Sequence, residues 1–481
     1  MSRNWVGRWL GGSLALVTAF LLALAPSASA SEASMVQDIY PGGGWSWAFF
    51  PTPYLDPGAA TGDVAYFSAD DGVHGQELWR SDGTAGGTEL VRDIRPGDGS
   101  SRVSRITNVG GTIFFRAGDG VHGRELWRSD GTAGGTELVR DIRPGNPVWG
   151  GSKVTELTNV HGTLFFAAQD ANHGLELWRS DGTAAGTKMV RDIWPGSGES
   201  RPHDLTEVGG RLMFMADDGT HGDELWRSDG TAAGTRMVRD IYPGTGGAGI
   251  ETGGLQSLTA IDGTLFFNAR DAKHGAELWR SDGTFGGTRM VKNIAAGATG
   301  SLPLKLTAVG GTLFFNADDG VHGNELWRSD GTASGTRMVR DICPDPPSCG
   351  SYPDDLAKVG GRLFFSAFDD AHGVELWRSD GTSGGTKMVR DIKTGEQSSN
   401  VDSLTNVAGT AFLTASDGIH GQELWSSDGT AAGTELVRDV SPHSVDASGG
   451  PGPQGLTSLG GTLYFGDNDG IHGFELWKAV P

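Results

Sequence analysis

Apolar and turn-forming residues alternate along this chain in a short, repeated order. Around Trp327 the apolar runs are Leu306-Thr307-Ala308-Val309, Thr312-Leu313-Phe314-Phe315-Asn316-Ala317, Glu325-Leu326-Trp327-Arg328-Ser329 and Arg337-Met338-Val339-Arg340-Asp341-Ile342. Gly310-Gly311, Asp319-Gly320-Val321-His322-Gly323 and Asp330-Gly331-Thr332-Ala333-Ser334-Gly335 separate them. Turn residues bound every run, as hairpins require, and no helical period is present. Each run therefore predicts a strand. Phe314-Phe315 and Leu326-Trp327 put bulk on both faces of the sheet, which suits a sheet sandwiched between neighbours.

The unit recurs. Asp71-x-x-His74-Gly75-x-Glu77-Leu78-Trp79 is followed by copies ending at Trp127, Trp178, Trp226, Trp279, Trp327, Trp377, Trp425 and Trp477, a pitch of about fifty residues. A repeat of this length is one supersecondary unit that cannot bury its apolar faces alone. Four short antiparallel strands suit one β-propeller blade. The two ends are complementary: Met35-Val36-Gln37-Asp38-Ile39 fits the fourth strand with no blade before it. Thr462-Leu463-Tyr464-Phe465 and Glu475-Leu476-Trp477 supply a blade that lacks its fourth strand. The expected fold is all-β: a closed β-propeller of about nine four-stranded blades, the last completed by the N-terminal strand, with no free sheet edge. A linear solenoid explains the repeat but not the complementary halves.

Glu77-Leu78-Trp79-Arg80-Ser81-Asp82-Gly83-Thr84 resembles the repeat of the bacterial ELWxxDGT repeat protein family. Eight copies carry the whole motif; in the ninth, Trp477 is followed by Lys478-Ala479-Val480 and the turn is missing. The resemblance implies a secreted or surface repeat protein and carries no defined activity.

Composition refines this picture. For 481 residues the length alone suggests several domains, but nine copies of one unit make one array. Apolar residues are only 37% of the chain, yet Trp and Phe keep fixed repeat positions, unlike a disordered sequence. Residues 1–30 read as a secretory signal: Arg3 and Arg8, an apolar run from Leu14 to Ala25, then Ala28-Ser29-Ala30 before the cleavage point. The run is short for a retained membrane anchor. Residues 31–481 are then a single propeller domain, secreted to the periplasm or the exterior, monomeric and without a transmembrane segment. The net charge of -21 repels nucleic acid and anionic lipid and suits solubility or divalent cations. Cys343 and Cys349 share one loop and are expected to form a local disulfide in an oxidising compartment; two free thiols are the alternative.

A residue present in every blade serves the blade more readily than one active site, which needs an asymmetric constellation. The motif His, as at His74, His122, His173 and His221, is expected to hydrogen-bond across the connection before the third strand. Ser81-Asp82-Gly83-Thr84 is expected to form a turn bonded to its own backbone. Arg80 and Arg92 are candidates to pair with carboxylates such as Glu77. No Gly-x-Ser-x-Gly elbow supports a hydrolase triad, and Gly42-Gly43-Gly44 precedes no helix that could cradle phosphate. Asp467-Asn468-Asp469-Gly470 is the best calcium candidate, through Asp467 and Asp469. No other cofactor is expected.

The copies differ mainly between the fourth strand of one blade and the first of the next. Longer connections follow Ile142, Ile241, Ile342 and Val440, and the longest follows Ile39. The connections as a whole, long and short, carry Trp45, Trp47, Tyr54, Trp149, Trp194, Tyr242 and Tyr352, aromatics that could stack on sugar rings or grip a peptide. Packing against the rim is their alternative role. The leading functional expectation is a secreted, non-enzymatic binding or scaffold propeller recognising a glycan or protein through its loop face. A propeller enzyme of glycoside hydrolase or lyase type is the second, needing two carboxylates about 5–10 Å apart, and a purely structural surface protein the third. For the calcium site the measurement is thermal melting: the reading expects EDTA to lower the melting temperature and added calcium to raise it, and an unchanged value removes it.

Overall fold

A computed structural model describes residues 31–41, 60–145, 150–248, 258–344, 349–440 and 452–481. Residues 1–30 lie outside that set, and Ser31–Pro481 forms one compact unit. Among the described residues the strands form nine four-stranded antiparallel sheets set in a ring, a nine-bladed β-propeller.

Blade 6 shows the build. Its strands are Leu304–Val309, Thr312–Asp318, Asn324–Ser329 and Arg337–Arg340, paired in chain order. First strands of neighbouring blades lie against one another around the ring, so the first strand is innermost and the fourth outermost. Two boundaries differ from the sequence pattern. The outer strand stops at Arg340 because the Ile342 N–H leaves the ladder and donates to Glu325 Oε2 at 3.1 Å. The inner strand starts earlier, at Leu304, and is bulged before Thr307, with Lys305 in the left-handed region at φ 57.

Burial is two-sided, as the Phe-Phe and Leu-Trp pairs predict. Successive strand residues point to opposite faces. From blade 2, Phe115 and Trp127 pack with Tyr66, Leu78 and Val91 of blade 1. Phe114 and Leu126 pack the other way, on Leu164, Phe166 and Trp178 of blade 3. Each interface is thus half of a core that neither blade completes alone.

The outer strands add a polar link between blades. Arg191 lies 5.8 Å from the Trp226 ring centre, Arg239 5.9 Å from Trp279 and Lys292 5.7 Å from Trp327, each cation over the next blade's indole. The same side chains donate to that blade's backbone: Arg191 to Thr235 O at 2.6 Å, Arg239 to Thr288 O at 2.6 Å, Lys292 to Thr336 O at 2.8 Å. The Trp226, Trp279 and Trp327 Nε1 atoms are buried with no acceptor. The indole is used for its face and area, not for its N–H.

The ninth blade joins both ends of the described chain. Glu32–Gln37 pairs antiparallel with Phe474–Val480, with Met35 opposite Trp477. Across it, Ile39 and Tyr40 N–H donate to Glu475 Oε2 and Oε1 at 2.8 and 3.1 Å. With its amide nitrogen turned toward the two carbonyls, Gln37 donates to Ala85 O at 2.9 Å and Thr88 O at 3.0 Å. It therefore makes in neutral form the link that Arg or Lys makes elsewhere. Deleting Glu32–Gln37 uncovers the third strand of blade 9 as an open edge. Size-exclusion chromatography and thermal melting should then show self-association and a lower melting temperature; a monomer melting like the intact chain would contradict this account of closure.

Candidate functional site

The motif Glu is a buried acid in every blade. Glu77, Glu125, Glu224, Glu325 and Glu375 are fully buried, and none is the Arg partner that the sequence suggested. Glu325 instead gathers the connection to the next blade: Ile342 N–H donates to Oε2 at 3.1 Å, and Ser351 donates from N to Oε1 at 3.0 Å and from Oγ to Oε2 at 2.7 Å. Glu176 repeats the arrangement with Ile193, Trp194 and Ser200. The guanidinium cannot reach this pocket because it lies on the blade's outer flank. Arg80 bonds Glu89 on the adjacent strand at 2.8 Å, and Arg92 donates to Thr136 O of the next blade. Burial pushes the Glu77, Glu125, Glu224, Glu375 and Glu475 carboxyls up to about 7.

The motif His closes the hairpin between the second and third strands. Asp71 Oδ1 accepts the Val73 and His74 N–H groups at 2.9 and 2.8 Å, and Asp71 Oδ2 lies 2.7 Å from His74 Nδ1. The hydrogen bond to Asp71 raises the affinity of His74 for its proton. Although burial opposes it, bonds from His74 and Val73 hold Asp71 below its ordinary range. The next residue must be glycine: Gly75 has φ +67, and a Cβ there would lie 2.9 Å from Asp98 O and Ser100 N. This is how the hairpin seats on the connection to the next blade. On the far end of the strand, Asp82 Oδ1 accepts from Thr84 N and Oγ1 at 2.9 and 2.7 Å, the self-bonded turn that the sequence predicts.

What varies sits beside this constant frame. Ser101, Ser152, Ser200, Ser301, Ser351 and Ser399 are buried at the start of the inner strands. The residue after each is exposed and in the left-handed region: Arg102 (φ 55), Lys153 (φ 53), Arg201 (φ 45), Leu302 (φ 48), Tyr352 (φ 45) and Asn400 (φ 51). Three positions on, at the bulge, Arg105, Glu156, Asp204, Lys305, Asp355 and Ser403 repeat the conformation at φ 53–59. Non-glycine residues seldom hold positive φ, and such strain concentrates where side chains are being aimed. Because inner strands border the axis, these residues ring the mouth of the propeller on the face of the His hairpins.

The mouth is not symmetric. Basic residues stand at Arg102, Lys153 and Arg201, with Glu199 bridging the latter two at 3.2 Å each. Leu302 and Tyr352 are exposed hydrophobic side chains. His203 lies between Asp204 (3.0 Å) and Asp223 (3.1 Å); against burial, these carboxylates push its imidazole up to about 10. Burial pushes Asp355 up to about 6, while its Oδ2 accepts the Leu404 N–H of the next blade. An open cleft of about 540 Å³ lies between blades 1 and 2, lined by Asp70, Gln76, Arg95, Asp98, Ser100, Arg102, Val103, Ser104 and Arg124.

The aromatics chosen from the sequence separate into three groups. Trp45, Trp47, Tyr54 and Trp149 lie outside the described residues. Trp194 and Tyr242 are half-buried and spent on local packing. The Trp194 ring leaves only 2.5 Å for a Cβ at Gly219 of the following hairpin, and Tyr242 lies under Arg270 at 5.1 Å. Tyr352 is 65% exposed and stands in the mouth. The variable position after each buried Ser has its own sequence signal, a Ser-x-Val/Pro frame that recurs before six of the inner strands, at Ser101, Ser152, Ser200, Ser301, Ser351 and Ser399. Asp467 and Asp469 belong to no group of three potential ligands among the described residues. Asp467 is buried, which pushes it up to about 8 and leaves it neutral near pH 7, and Asp469 bonds Ile471 and His472. The group of three potential ligands among the described residues is Cys343, Cys349 and Asp370, and its two thiols are joined in a disulfide with Cα atoms 5.5 Å apart.

A ring of raised carboxyls has a consequence in solution. Each such Glu binds its proton more tightly folded than unfolded, so its contribution is complete below about 4.5 and lost as pH rises through about 7. The raised His residues act in the same direction at higher pH, and the lowered Asp71-type residues cost stability only at low pH. Urea unfolding should therefore give a midpoint that falls between about pH 5 and pH 8; a flat or rising midpoint would contradict the buried-carboxyl assignment.

The sequence matches no protein-family model and no curated protein. Solved structures resemble the fold at low identity. A prolyl endopeptidase matches at 14% identity over 69% of this chain and 49% of its own, with a TM-score of 0.42. A puromycin-hydrolyzing peptidase of Mycobacterium tuberculosis matches at 13% over 76% and 57%, with a TM-score of 0.39. The β-propeller domain of the Trilobed protease from Pyrococcus furiosus matches at 11% over 70% and 97%, with a TM-score of 0.35. The chain spans about half the length of that prolyl endopeptidase. The likeness is one of fold.

Proposed function

We propose that this chain is a secreted, non-enzymatic binding propeller of the ELWxxDGT repeat type, taking a glycan or protein ligand at the mouth of its ring. The observation that carries the reading is the division of labour within each blade. Motif Glu, Asp and His are consumed in bonds that repeat from blade to blade, while the residue after each buried Ser varies, from Arg102 and Lys153 to Leu302, Tyr352 and Asn400, and is held exposed at positive φ. A rigid frame presenting variable, pre-aimed side chains lowers the ordering cost of binding. Tyr352 and Leu302, both exposed, offer apolar faces on which a sugar ring or a peptide side chain can lie.

The hydrolase alternative asks for two free carboxylates facing each other across a cleft. Its best candidate, Asp355, has Oδ2 engaged by the Leu404 N–H and ties blade 7 to blade 8, a linking role. The binding reading is tested by a glycan and envelope-polymer array probed with the intact chain and with Tyr352→Ala. A ligand should appear whose affinity falls about tenfold in the variant, the scale of one aromatic anchor. An array without a hit, or equal binding by both proteins, would sink it.

A further inference from the structure

Blade 2 departs from the repeat in one consistent direction. At the second-strand position opposite the motif Leu, it carries Arg116, where the other blades carry Ser68, Ala167, Met215, Asn268, Asn316, Ser366, Thr414 and Gly466. Immediately before the motif Glu it carries Arg124, where no other copy has a basic residue. Between them, Gly118 replaces the acid that stands at Asp70, Asp217 and Asp318. Arg102 and Arg105 hold its two left-handed mouth positions. In a chain of net charge -21, these changes collect positive charge at one place.

The geometry makes the collection a cluster. Arg116 is opposite Leu126 and Gly118 is opposite Arg124, so the two arginines share one face of the sheet. Gly118 is what gives Arg124 its path: a Cβ there would lie 3.2 Å from Arg124 Cγ. Arg124 Nη2 donates to Arg102 O at 3.1 Å and Ser104 Oγ at 3.0 Å, which fixes the guanidinium at the lip of the cleft shared with Arg95 and Arg102. Arg95 is held over Gly99 and Gly120 and donates to Ser100 O. The Nε atoms of Arg116 and Arg124 are both buried without an acceptor.

Burial, then repulsion from Arg116 and Arg102, pulls Arg124 down to about 10, and burial and Arg105 likewise lower Arg116. Packing like charges with unfilled donors is costly unless a counter-charge completes the set. Among the described residues, the cleft wall carries Asp70 and Asp98, and Glu125 lies near Arg116. Asp70 Oδ1 accepts the Gly72 N–H, and Glu125 Oε2 is taken by Ile142 and Ser152 while burial pushes its carboxyl up to about 7.

We infer that the blade 2 arginines, with Ser100, Ser104 and Gln76 in the adjoining cleft, form a binding site for an oxyanion group of the ligand: a carboxylate, or a tetrahedral sulfate or phosphate. Guanidinium forks match both geometries, and Arg is the side chain suited to them. The inference rests on the reading that the mouth takes a ligand, and it narrows that ligand to an anionic one.

The experiment uses the full chain at low ionic strength, titrated calorimetrically and melted with sulfate, phosphate or glucuronate, against chloride at matched ionic strength. One or more of the three should bind and raise the melting temperature beyond the chloride control. Glucuronate alone identifies a carboxylate site, sulfate or phosphate a tetrahedral one. Arg124→Gln, which installs the residue blade 1 carries at this place, and Arg116→Met should each weaken binding at least tenfold while melting no lower than the parent. If Arg116→Met does not fold, Arg124→Gln decides alone. No response beyond chloride, or an equal response from Arg124→Gln, overturns the site. A hit on the glycan array for a neutral ligand, together with that silence, would leave the binding propeller standing and remove only its anion site.

Discussion

The ring depends on a buried carboxyl in each blade. Left unpaired, that group would cost several kcal/mol; supplied with backbone and serine donors, it becomes the point where one blade ends and the next begins. Bonds to Ile342 and Ser351 fix both ends of the connection after blade 6 on a single Glu325 side chain. Everything that stands at the mouth is placed by it, since the serine it holds is the residue immediately before the first left-handed position. A hydrogen bond made for stability thus also sets the aim of residues that are free to vary.

A second set of contacts works at the rim, where a cation from one blade covers the next blade's indole and bonds its backbone. Neither set uses an ion pair between blades as its principal device. The blade interfaces rest on apolar faces such as Phe115 with Leu78 and Tyr66, and polar groups set register and spacing. This division explains why the repeat tolerates such different side chains at Arg102, Leu302 and Asn400 without a change in blade geometry. It also explains why blade 2 can gather Arg102, Arg105, Arg116 and Arg124 in an acidic chain: the frame around them is satisfied independently of what they carry.

Much of this was legible in the sequence. Turn residues at fixed offsets gave the strands, and the half-blades at Met35–Ile39 and Thr462–Trp477 gave the closure, because register and hairpin chemistry are local properties. The Asp–His link was readable for the same reason. The partner of Glu77 was not, because an Arg close in sequence invites an ion pair, and only the fold shows that the carboxyl points inward toward amides 17 and 24 residues away. The mouth was hidden for a related reason. Positive φ at Arg102 or Tyr352 has no glycine or asparagine to announce it; it is imposed by the anchored serine and the bulge. For Trp194 and Tyr242 the pattern leaves open both a binding platform and packing against the rim; the Trp194 ring fills the space beside Gly219 of the following hairpin, and Tyr242 lies under Arg270.

The closing contact has a bearing on how the molecule assembles. Ile39 and Glu475 meet across 436 residues, so the strand Glu32–Gln37 has no partner until Phe474–Val480 exists. Eight blades can stack in order, each on the last, as in other repeat arrays. The ring itself can form only in a single late step, with the largest loop in the chain to close. Until then the first strand is an unpaired edge, and the time between synthesis of its ends is the period in which another copy of the chain could take its place.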